Sequence, residues 1–297
     1  MSGPILLTGG TGFVGGNLRQ ALAPRPLRLL VRDRTPHESL VSDQIEVIEG
    51  DVTKPETLRG VMDGCSAVIH LVAIIAEEGL LTFDRVIRQG TANVVDEAAR
   101  AGVPRFLHMS AMGTLHDPHY AYYEAKWQAE QAVMASRMLW TIFRPSVIFG
   151  PGDEFINTLA RLVKLAPVIP VVGTGQSKFQ PVAVGDVTQA FARALDDSAA
   201  EGQVYELGGG QTYTYEAMLA VIAAKLGKRK RKVHVPVGLM MPIVKLAKPL
   251  PKALRPPVTE EQLKMLALDN ASASSATADL IGRPPVALED GIDYILT

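Results

Sequence analysis

Short apolar runs alternate with longer segments of helical periodicity through the first half of the chain. The short runs predict buried β-strands, and apolar residues that recur every three or four positions predict helices. The predicted strands are Ile5–Thr8, Leu27–Arg32, Ile45–Glu49, Ala67–Leu71, Arg105–Met109 and Leu139–Phe143. The predicted helices span residues 13–22, 54–63, 82–101 and 120–137, with a capping-box pattern at Thr53-Lys54-Pro55-Glu56. This alternation predicts a doubly wound parallel sheet with helices on both faces.

The pattern loosens after Pro151, where prolines become frequent. One more strand, Val204–Leu207, is predicted to return to the sheet, which then has about seven strands. We therefore expect an α/β fold in two parts. Residues 1–150 form the sheet domain, and residues 151–297 form mainly a smaller, mostly helical substrate-binding cap over the strand ends.

A glycine-rich turn joins the first predicted strand to the first predicted helix. Glycines recur there with a spacing of three. Glycine lets the backbone turn tightly, approach a pyrophosphate and pack a helix closely against a strand. Free N–H groups at the helix N-terminus then bind phosphate. The turn predicts a dinucleotide site within residues 1–150, formed by Gly9, Thr11, Gly12, Phe13, Val14 and Gly15, and the alternative is an ordinary glycine turn.

The residue after the second strand discriminates between the two nicotinamide dinucleotides. An acidic residue there hydrogen-bonds the ribose of NAD, whereas an arginine accommodates the extra phosphate of NADP. Arg32 occupies this position, so the sequence favours NADP(H) over NAD(H). Asp33 is the counter-argument, because a strand one residue longer would place its carboxylate at the ribose. The alternative interpretation of Arg32 is a solvated charge at a strand end that does not contact the cofactor.

The ends of the third and fourth strands complete the predicted cofactor site. Asp51, followed by Val52, is placed to accept a hydrogen bond from the adenine amino group or to cap the next helix. The backbone of Leu71, Val72 and Ala73 is predicted to pass under the adenosine.

Tyr122 and Lys126 are four residues apart in the predicted helix 120–137 and therefore share one face. A nearby ammonium lowers the pKa of a tyrosine, which then transfers protons near neutral pH. The lysine can also hydrogen-bond ribose hydroxyls. Such a pair also occurs on ordinary surface helices, but here it follows a glycine turn and lies between the fifth and sixth strands.

The chain resembles the extended or atypical short-chain dehydrogenase/reductases, and in detail the branch related to the nucleotide-binding accessory subunit of respiratory complex I. The motifs that carry the resemblance are Thr8-Gly9-x-x-Gly12-x-x-Gly15, Asp51-Val52, Tyr122-x-x-x-Lys126-Trp127-x-Ala129-Glu130, Trp140 to Pro151, Gln180 to Val187 and Pro257-Val258-Thr259-x-x-Gln262-Leu263. The resemblance implies a Rossmann-type fold with Tyr122 as acid/base. It implies that Lys126 is its partner and a ribose ligand, and that the backbone of Pro145 and Val147 contacts the nicotinamide.

Two positions depart from the family pattern. The family's catalytic Ser or Thr falls at Ala111, so Ser110 or Thr114 would have to substitute for it. The family's helix asparagine falls at Ile87. A missing donor to the substrate carbonyl costs on the order of 10²–10³ in rate.

The resemblance implies an NAD(P)(H)-dependent oxidoreductase that acts on the carbonyl or hydroxyl group of a small molecule. The alternatives are a non-catalytic dinucleotide-binding accessory or redox-sensing protein, and an NAD-recycling sugar-nucleotide epimerase or dehydratase.

Composition restricts the setting. The 297 residues carry a net charge of −1 and one cysteine, Cys65, which suits a reducing compartment. The longest apolar stretch, Cys65–Ala76, is too short to span a bilayer, and the first apolar run reads as a strand and not as a signal peptide. We expect a cytoplasmic protein without a metal site, in which His70 and His108 are core residues.

A basic segment extends from Lys225 to Arg255, with ten Lys or Arg and no Asp or Glu. A helix from about Met241 would place Ile243, Val244 and Ala247 on one face and Lys245, Lys248 and Lys252 on another. One interpretation is a cap helix that packs on the core with solvated lysines. The other is a peripheral contact with anionic lipid or a membrane complex. Nucleic acid is not expected, because aromatic residues are not interleaved with the cations.

Overall fold

Seven parallel strands form the central sheet of the protein, whose computed structural model describes residues 3–247 and 258–296. The strands in chain order are β1 (Ile5–Thr8), β2 (Leu27–Val31), β3 (Ile45–Glu49), β4 (Ala67–His70), β5 (Arg105–Met109), β6 (Leu139–Pro145), β7 (Ile148–Phe149), β8 (Ile169–Val172), β9 (Lys178–Phe179), β10 (Val182–Ala183), β11 (Gln203–Leu207), β12 (Tyr213–Thr214) and β13 (Lys232–Val235). The sheet order is β11-β6-β5-β4-β1-β2-β3. The predicted doubly wound parallel sheet is confirmed, with β11 at one edge beside β6.

Helices cover both faces of the sheet. In chain order they are α1 (Phe13–Leu22), α2 (Gly90–Arg100), α3 (Ala121–Met134), α4 (Phe155–Leu165), α5 (Val184–Ala194), α6 (Tyr215–Lys225), α7 (Val237–Ala247), α8 (Glu260–Met265), α9 (Thr277–Ile281) and α10 (Leu288–Gly291). Successive strand residues point to opposite faces. Leu7 therefore packs in the layer of α1 and α5, while Leu6 packs in the layer of α2 and α3.

Two predicted helices differ from the structure. The segment predicted as helix 54–63 contains only a short 3₁₀ helix, Pro55–Leu58, and the capping-box prediction was wrong. The reason is that Asp51 Oδ1 accepts both the backbone N–H and the hydroxyl of Thr53, at 2.9 and 2.8 Å. The segment predicted as helix 82–101 begins with a π-helical stretch, Asp84–Gln89, before α2.

The smaller part of the chain combines helices with three two-stranded pairings, β7 with β10, β9 with β12 and β8 with β13. The sequence did not predict these strands, several of which have only two residues, and β8 contains Pro170. Although α5 and β11 lie beyond residue 150, they belong to the sheet layers and not to this smaller part.

Helix α7 begins at Val237, earlier than predicted. It contacts the rest of the protein along half-buried Met240 and Val244 and buried Ala247. Ile243 is 61% exposed, so it does not share a buried face with Ala247, and the interpretation in which this face packs on the core does not hold for Ile243. The lysines 248 and 252 lie outside the described residues. Within the described ranges, none of the helices has the length and apolar character needed to cross a bilayer.

Candidate functional site

The glycine turn lies at the carboxyl end of β1. Gly9 adopts a φ of +70°, which favours glycine, and its carbonyl accepts the Gly12 N–H at 3.1 Å. A Cβ at Gly15 would lie 2.2 Å from the Gly9 oxygen and 2.6 Å from the Gly10 Cα. Helix α1 therefore approaches the turn as closely as it does because residue 15 has no side chain.

The N-terminus of α1 fits a pyrophosphate. Gly12 is its N-cap, no side chain caps it, and its first turn carries no acidic residue. Thr11 and Gly12 are exposed, and Phe13 and Val14 continue the first turn. Free backbone N–H groups and the positive end of the helix dipole favour an anion at this position.

Arg32 and Asp33 directly follow β2, the neighbour of β1 in the sheet, and both are exposed. The carboxylate of Asp33 is engaged locally, because its Oδ1 accepts the Thr35 N–H at 2.9 Å. That bond holds the start of a 3₁₀ helix, Thr35–Leu40. Arg32 thus presents the cationic group next to the end of β2.

The floor of the turn comes from the neighbouring strand ends. Gly9 packs against Leu71 and Val72, where a Cβ would lie 3.3 Å from their backbone atoms, and Ala73 follows them half-buried. At the end of β3, the Asp51 carboxylate accepts hydrogen bonds from Thr53 and so serves the local turn. The Val52 carbonyl accepts the Asn93 amide at 2.8 Å.

Tyr122 and Lys126 lie on α3 and are both buried, at 8% and 1% exposure. Lys126 Nζ donates to the Met109 carbonyl at 2.9 Å, at the end of β5, and lies 6.0 Å from the centroid of the Tyr122 ring. Burial lowers the pKa of Lys126 to about 8, although Glu130 opposes this shift. The structure therefore brings the predicted pair together near the carboxyl ends of the central strands.

The pKa of Tyr122 is raised and not lowered, so that expectation was wrong. Burial is the main cause, and Tyr123 adds to it. The Tyr122 ring packs edge-on against Phe83 with centroids 5.6 Å apart. Lys126 points its ammonium at the Met109 carbonyl, and the Tyr122 ring lies in an apolar cluster.

A buried ion pair fixes α3 against β6. Arg144 Nε and Nη2 donate to the two carboxylate oxygens of Glu130, at 2.8 and 2.5 Å, and the Glu130 side chain is fully buried. Bidentate pairs of this kind define orientation as well as distance. Glu130 and Arg144 belong to the family motifs, but the sequence indicated no function for them. In the structure they hold the helix that carries Tyr122 and Lys126.

Ser110 is buried and shares a hydrogen bond of 3.2 Å with the Thr114 hydroxyl. The Thr114 hydroxyl donates to the Ala111 carbonyl at 2.7 Å, so Ser110 is the donor between the two hydroxyls. Ile87 is fully buried in the apolar cluster that contains Tyr122. The position of the family's asparagine is therefore used for packing.

Asn270 is a site residue that the sequence did not predict. Its Oδ1 accepts the Ser146 hydroxyl at 2.6 Å and the Val147 N–H at 3.1 Å, and its Nδ2 donates to the Met112 carbonyl at 3.1 Å. The Val147 carbonyl accepts from Val182. The only available signal was its place at the start of a small polar stretch.

The Pro145 carbonyl accepts the Met112 N–H at 2.8 Å. Proline has no N–H, and the Val147 N–H and carbonyl each take part in one hydrogen bond within the protein. The Val147 N–H is already donated to Asn270, whereas the Pro145 and Val147 carbonyls each keep a second lone pair that can accept from a nicotinamide.

His70 and His108 are buried core groups, as predicted. His70 bonds Thr8 and Thr91 at 2.7 and 3.1 Å and stacks on His108. Burial lowers the pKa of His70 to about 3 and that of His108 well below its usual value. The described ranges contain no cluster of side chains suited to a metal ion.

Comparison with known proteins agrees with this geometry. A model of the NAD(P)H-binding family matches residues 9–160. The chain is 31% identical over 239 residues to subunit 9 of the NADH dehydrogenase (ubiquinone) 1 alpha subcomplex of Arabidopsis thaliana, a match that covers 77% of this chain but 59% of that protein. It is 32% identical over 240 residues to ceramide reductase of Caulobacter vibrioides, covering 79% of this chain and 74% of the relative.

A solved structure extends the fold comparison. The NADPH-dependent quinone oxidoreductase of Escherichia coli, complexed with NADPH, aligns with a TM-score of 0.77 at 20% identity, over 99% of this chain and 100% of that one. The similarity shows a shared fold. The chain belongs to the NAD(P)H-binding family, as an extended short-chain dehydrogenase/reductase.

Proposed function

We propose that the protein is an NAD(P)(H)-dependent oxidoreductase that interconverts a carbonyl and a hydroxyl group of a small molecule. The observation that carries the proposal is the placement of Tyr122 and Lys126 on α3, which the Glu130–Arg144 pair holds against β6. Relatives named ceramide reductase and quinone oxidoreductase support this reaction class.

The first turn of α1 and Arg32 would hold the dinucleotide. Gly9, Gly12 and Gly15 shape the turn, and Arg32 would pair with the phosphate that distinguishes NADP(H), since the Asp33 carboxylate bonds Thr35. A bound nicotinamide supplies or accepts a hydride.

Tyr122 would supply the proton during carbonyl reduction. Its raised pKa keeps the phenol protonated at neutral pH, so the proton is present for donation, while the same shift makes the phenol a weaker acid. In the reverse direction, the ammonium of Lys126 would stabilise the phenolate that forms. Ser110 is the hydroxyl nearest in sequence to the position that alanine occupies, and it would orient the substrate oxygen by turning its proton from Thr114 to the substrate.

Turnover by the Tyr122→Phe variant tests the proposal. Wild type, Tyr122→Phe and the matched control Tyr120→Phe are compared on a panel of carbonyl compounds with NADPH and with NADH. We expect turnover by wild type and the control and a loss of at least about a hundredfold in Tyr122→Phe, with unchanged nucleotide affinity. Activity retained by Tyr122→Phe would refute the mechanism.

A second candidate is a dinucleotide-binding accessory protein without catalysis. Ala111 and Ile87 fill two positions near Tyr122 with apolar groups, and one relative is a subunit of NADH dehydrogenase. This alternative predicts that NADPH binds and raises the melting temperature, while no compound in the panel is turned over.

A further inference from the structure

The outer face of α7 carries an apolar stripe. Leu239, Ile243 and Leu246 are 64%, 61% and 78% exposed. Their spacing of four and then three residues places them on one side of the helix, together with exposed Pro242. We call these four residues the α7 outer face. Isolated exposed apolar residues are common, but a contiguous stripe indicates a contact surface.

Helix α7 lies close to the candidate site, with helix α8 between them. Lys245 Nζ pairs with Glu260 of α8 at 3.4 Å. In the same short helix, Glu261 Oε1 accepts the Tyr122 N–H at 3.1 Å, and Met265 packs against the Tyr122 cluster. One helix therefore separates the α7 outer face from the helix that carries Tyr122.

The segment that leads into α7 is strongly basic. Residues 225–247 contain seven Lys or Arg and no Asp or Glu. Lys228, Arg229 and Arg231 are exposed in the loop between α6 and β13, which we call the basic loop. Lys230 anchors this loop, because its Nζ donates to the carbonyls of residues 164 and 166 at 3.1 and 2.5 Å.

Apolar groups are interleaved with these cations. Leu165, between the two carbonyls that bind Lys230, is 77% exposed. Val233 is 46% exposed on β13, which connects the basic loop to α7. A four-residue strand spans roughly 13 Å, so the basic loop and α7 are close neighbours.

We propose that the α7 outer face and the basic loop bind the surface of an anionic phospholipid bilayer, with α7 lying in the plane of the interface. Exposed leucine and isoleucine side chains enter the boundary between headgroups and acyl chains, and lysine and arginine pair with the phosphates. Charge complementarity favours this occupant over a purely apolar protein partner, which would leave the basic loop without counter-charges. This surface does not include Tyr122 or Lys126. The proposal therefore concerns where in the cell the protein acts and not which reaction it catalyses.

Co-sedimentation with phospholipid vesicles tests the proposal. Full-length protein is mixed with vesicles of phosphatidylcholine alone or with added phosphatidylglycerol, at about 0.05 M and about 0.5 M salt. We expect binding to the anionic vesicles at low salt and weaker binding at high salt. Wild type that stays in the supernatant with anionic vesicles at low salt would overturn the proposal.

Variants separate the two parts of the surface. Each of Leu239→Gln, Ile243→Gln and Leu246→Gln should weaken binding by about tenfold. Replacing Lys228, Arg229 and Arg231 together by glutamine should weaken it by about a hundredfold at low salt. Leu139→Gln is the control, because Leu139 is 46% exposed and lies at the amino end of β6, where the strands begin. This variant should bind like wild type.

Further controls distinguish a loss of vesicle binding from misfolding and from a failure of the proposed reaction. All variants should keep the wild-type melting temperature and NADPH affinity. Tyr122→Phe should bind vesicles like wild type, so a failure of the proposed reaction leaves the vesicle result unaffected. Equal loss in Leu139→Gln and the α7 variants, or unchanged binding in the α7 variants, would refute the assigned surface.

Discussion

Replacing Gly15 by alanine tests whether the close approach of α1 to the glycine turn is what forms the nucleotide site. The new Cβ would lie 2.2 Å from the Gly9 oxygen and 2.6 Å from the Gly10 Cα, and both of these atoms belong to the backbone. The turn must therefore open by about 1 Å to reach ordinary contact. We expect the free energy of unfolding to fall by about 2–3 kcal/mol, as for other overpacked sites.

The same displacement should disturb the N–H groups at the start of α1. We therefore expect NADPH affinity to fall at least about tenfold, measured by fluorescence titration beside urea denaturation. Gly16→Ala is the matched control, because the nearest atom to its Cβ is the end of the Arg19 side chain at 3.8 Å. Alanine should stabilise that helical position by roughly 0.5–1 kcal/mol. Wild-type stability and affinity in Gly15→Ala would refute the reasoning.

Three further predictions concern charge. Arg32→Ala should reduce the preference for NADPH over NADH by about tenfold, while Arg34→Ala should not, and the ratio of the two dissociation constants checks this. Arg144→Met should lower the free energy of unfolding by about 3 kcal/mol, because it leaves the fully buried Glu130 carboxylate unpaired. Adding Glu130→Gln should recover at least half of that loss in urea denaturation. Burial depresses the pKa of His108, so stability is lost as the pH falls below the unfolded value of about 6.5. Denaturation at pH 7 and pH 5 should show a smaller acid loss in His108→Leu than in wild type.

The strands of the sheet could be predicted because local pattern determines them. Runs such as Ile5–Thr8 and Arg105–Met109 are buried on both faces, and their boundaries match the structure. The pairing of β8 with β13 could not be predicted, because β8 contains Pro170 and β13 is half-buried to exposed and so lacks a buried apolar run. Helix 54–63 was overpredicted, because the side-chain bonds of Asp51 compete with helix formation.

Part of the candidate site was also predictable. The four-residue spacing places Tyr122 and Lys126 together on α3, as the structure has them. The raised pKa of Tyr122 was not predictable, since it depends on burial beside Phe83, which comes from another element. Asn270 could not be identified, because the groups it bonds on Ser146 and Val147 lie more than a hundred residues away in sequence.

Transfer of a labelled hydrogen from the cofactor tests the central claim most directly. NADPH with deuterium at its reactive carbon is incubated with wild type, Tyr122→Phe and a carbonyl compound, and the alcohol is examined by mass spectrometry. We predict deuterium on the carbinol carbon with wild type and almost none with Tyr122→Phe, although both bind NADPH equally. Equal deuterium incorporation by the two proteins would contradict the role of Tyr122, and tight NADPH binding without transfer by wild type would contradict the oxidoreductase function.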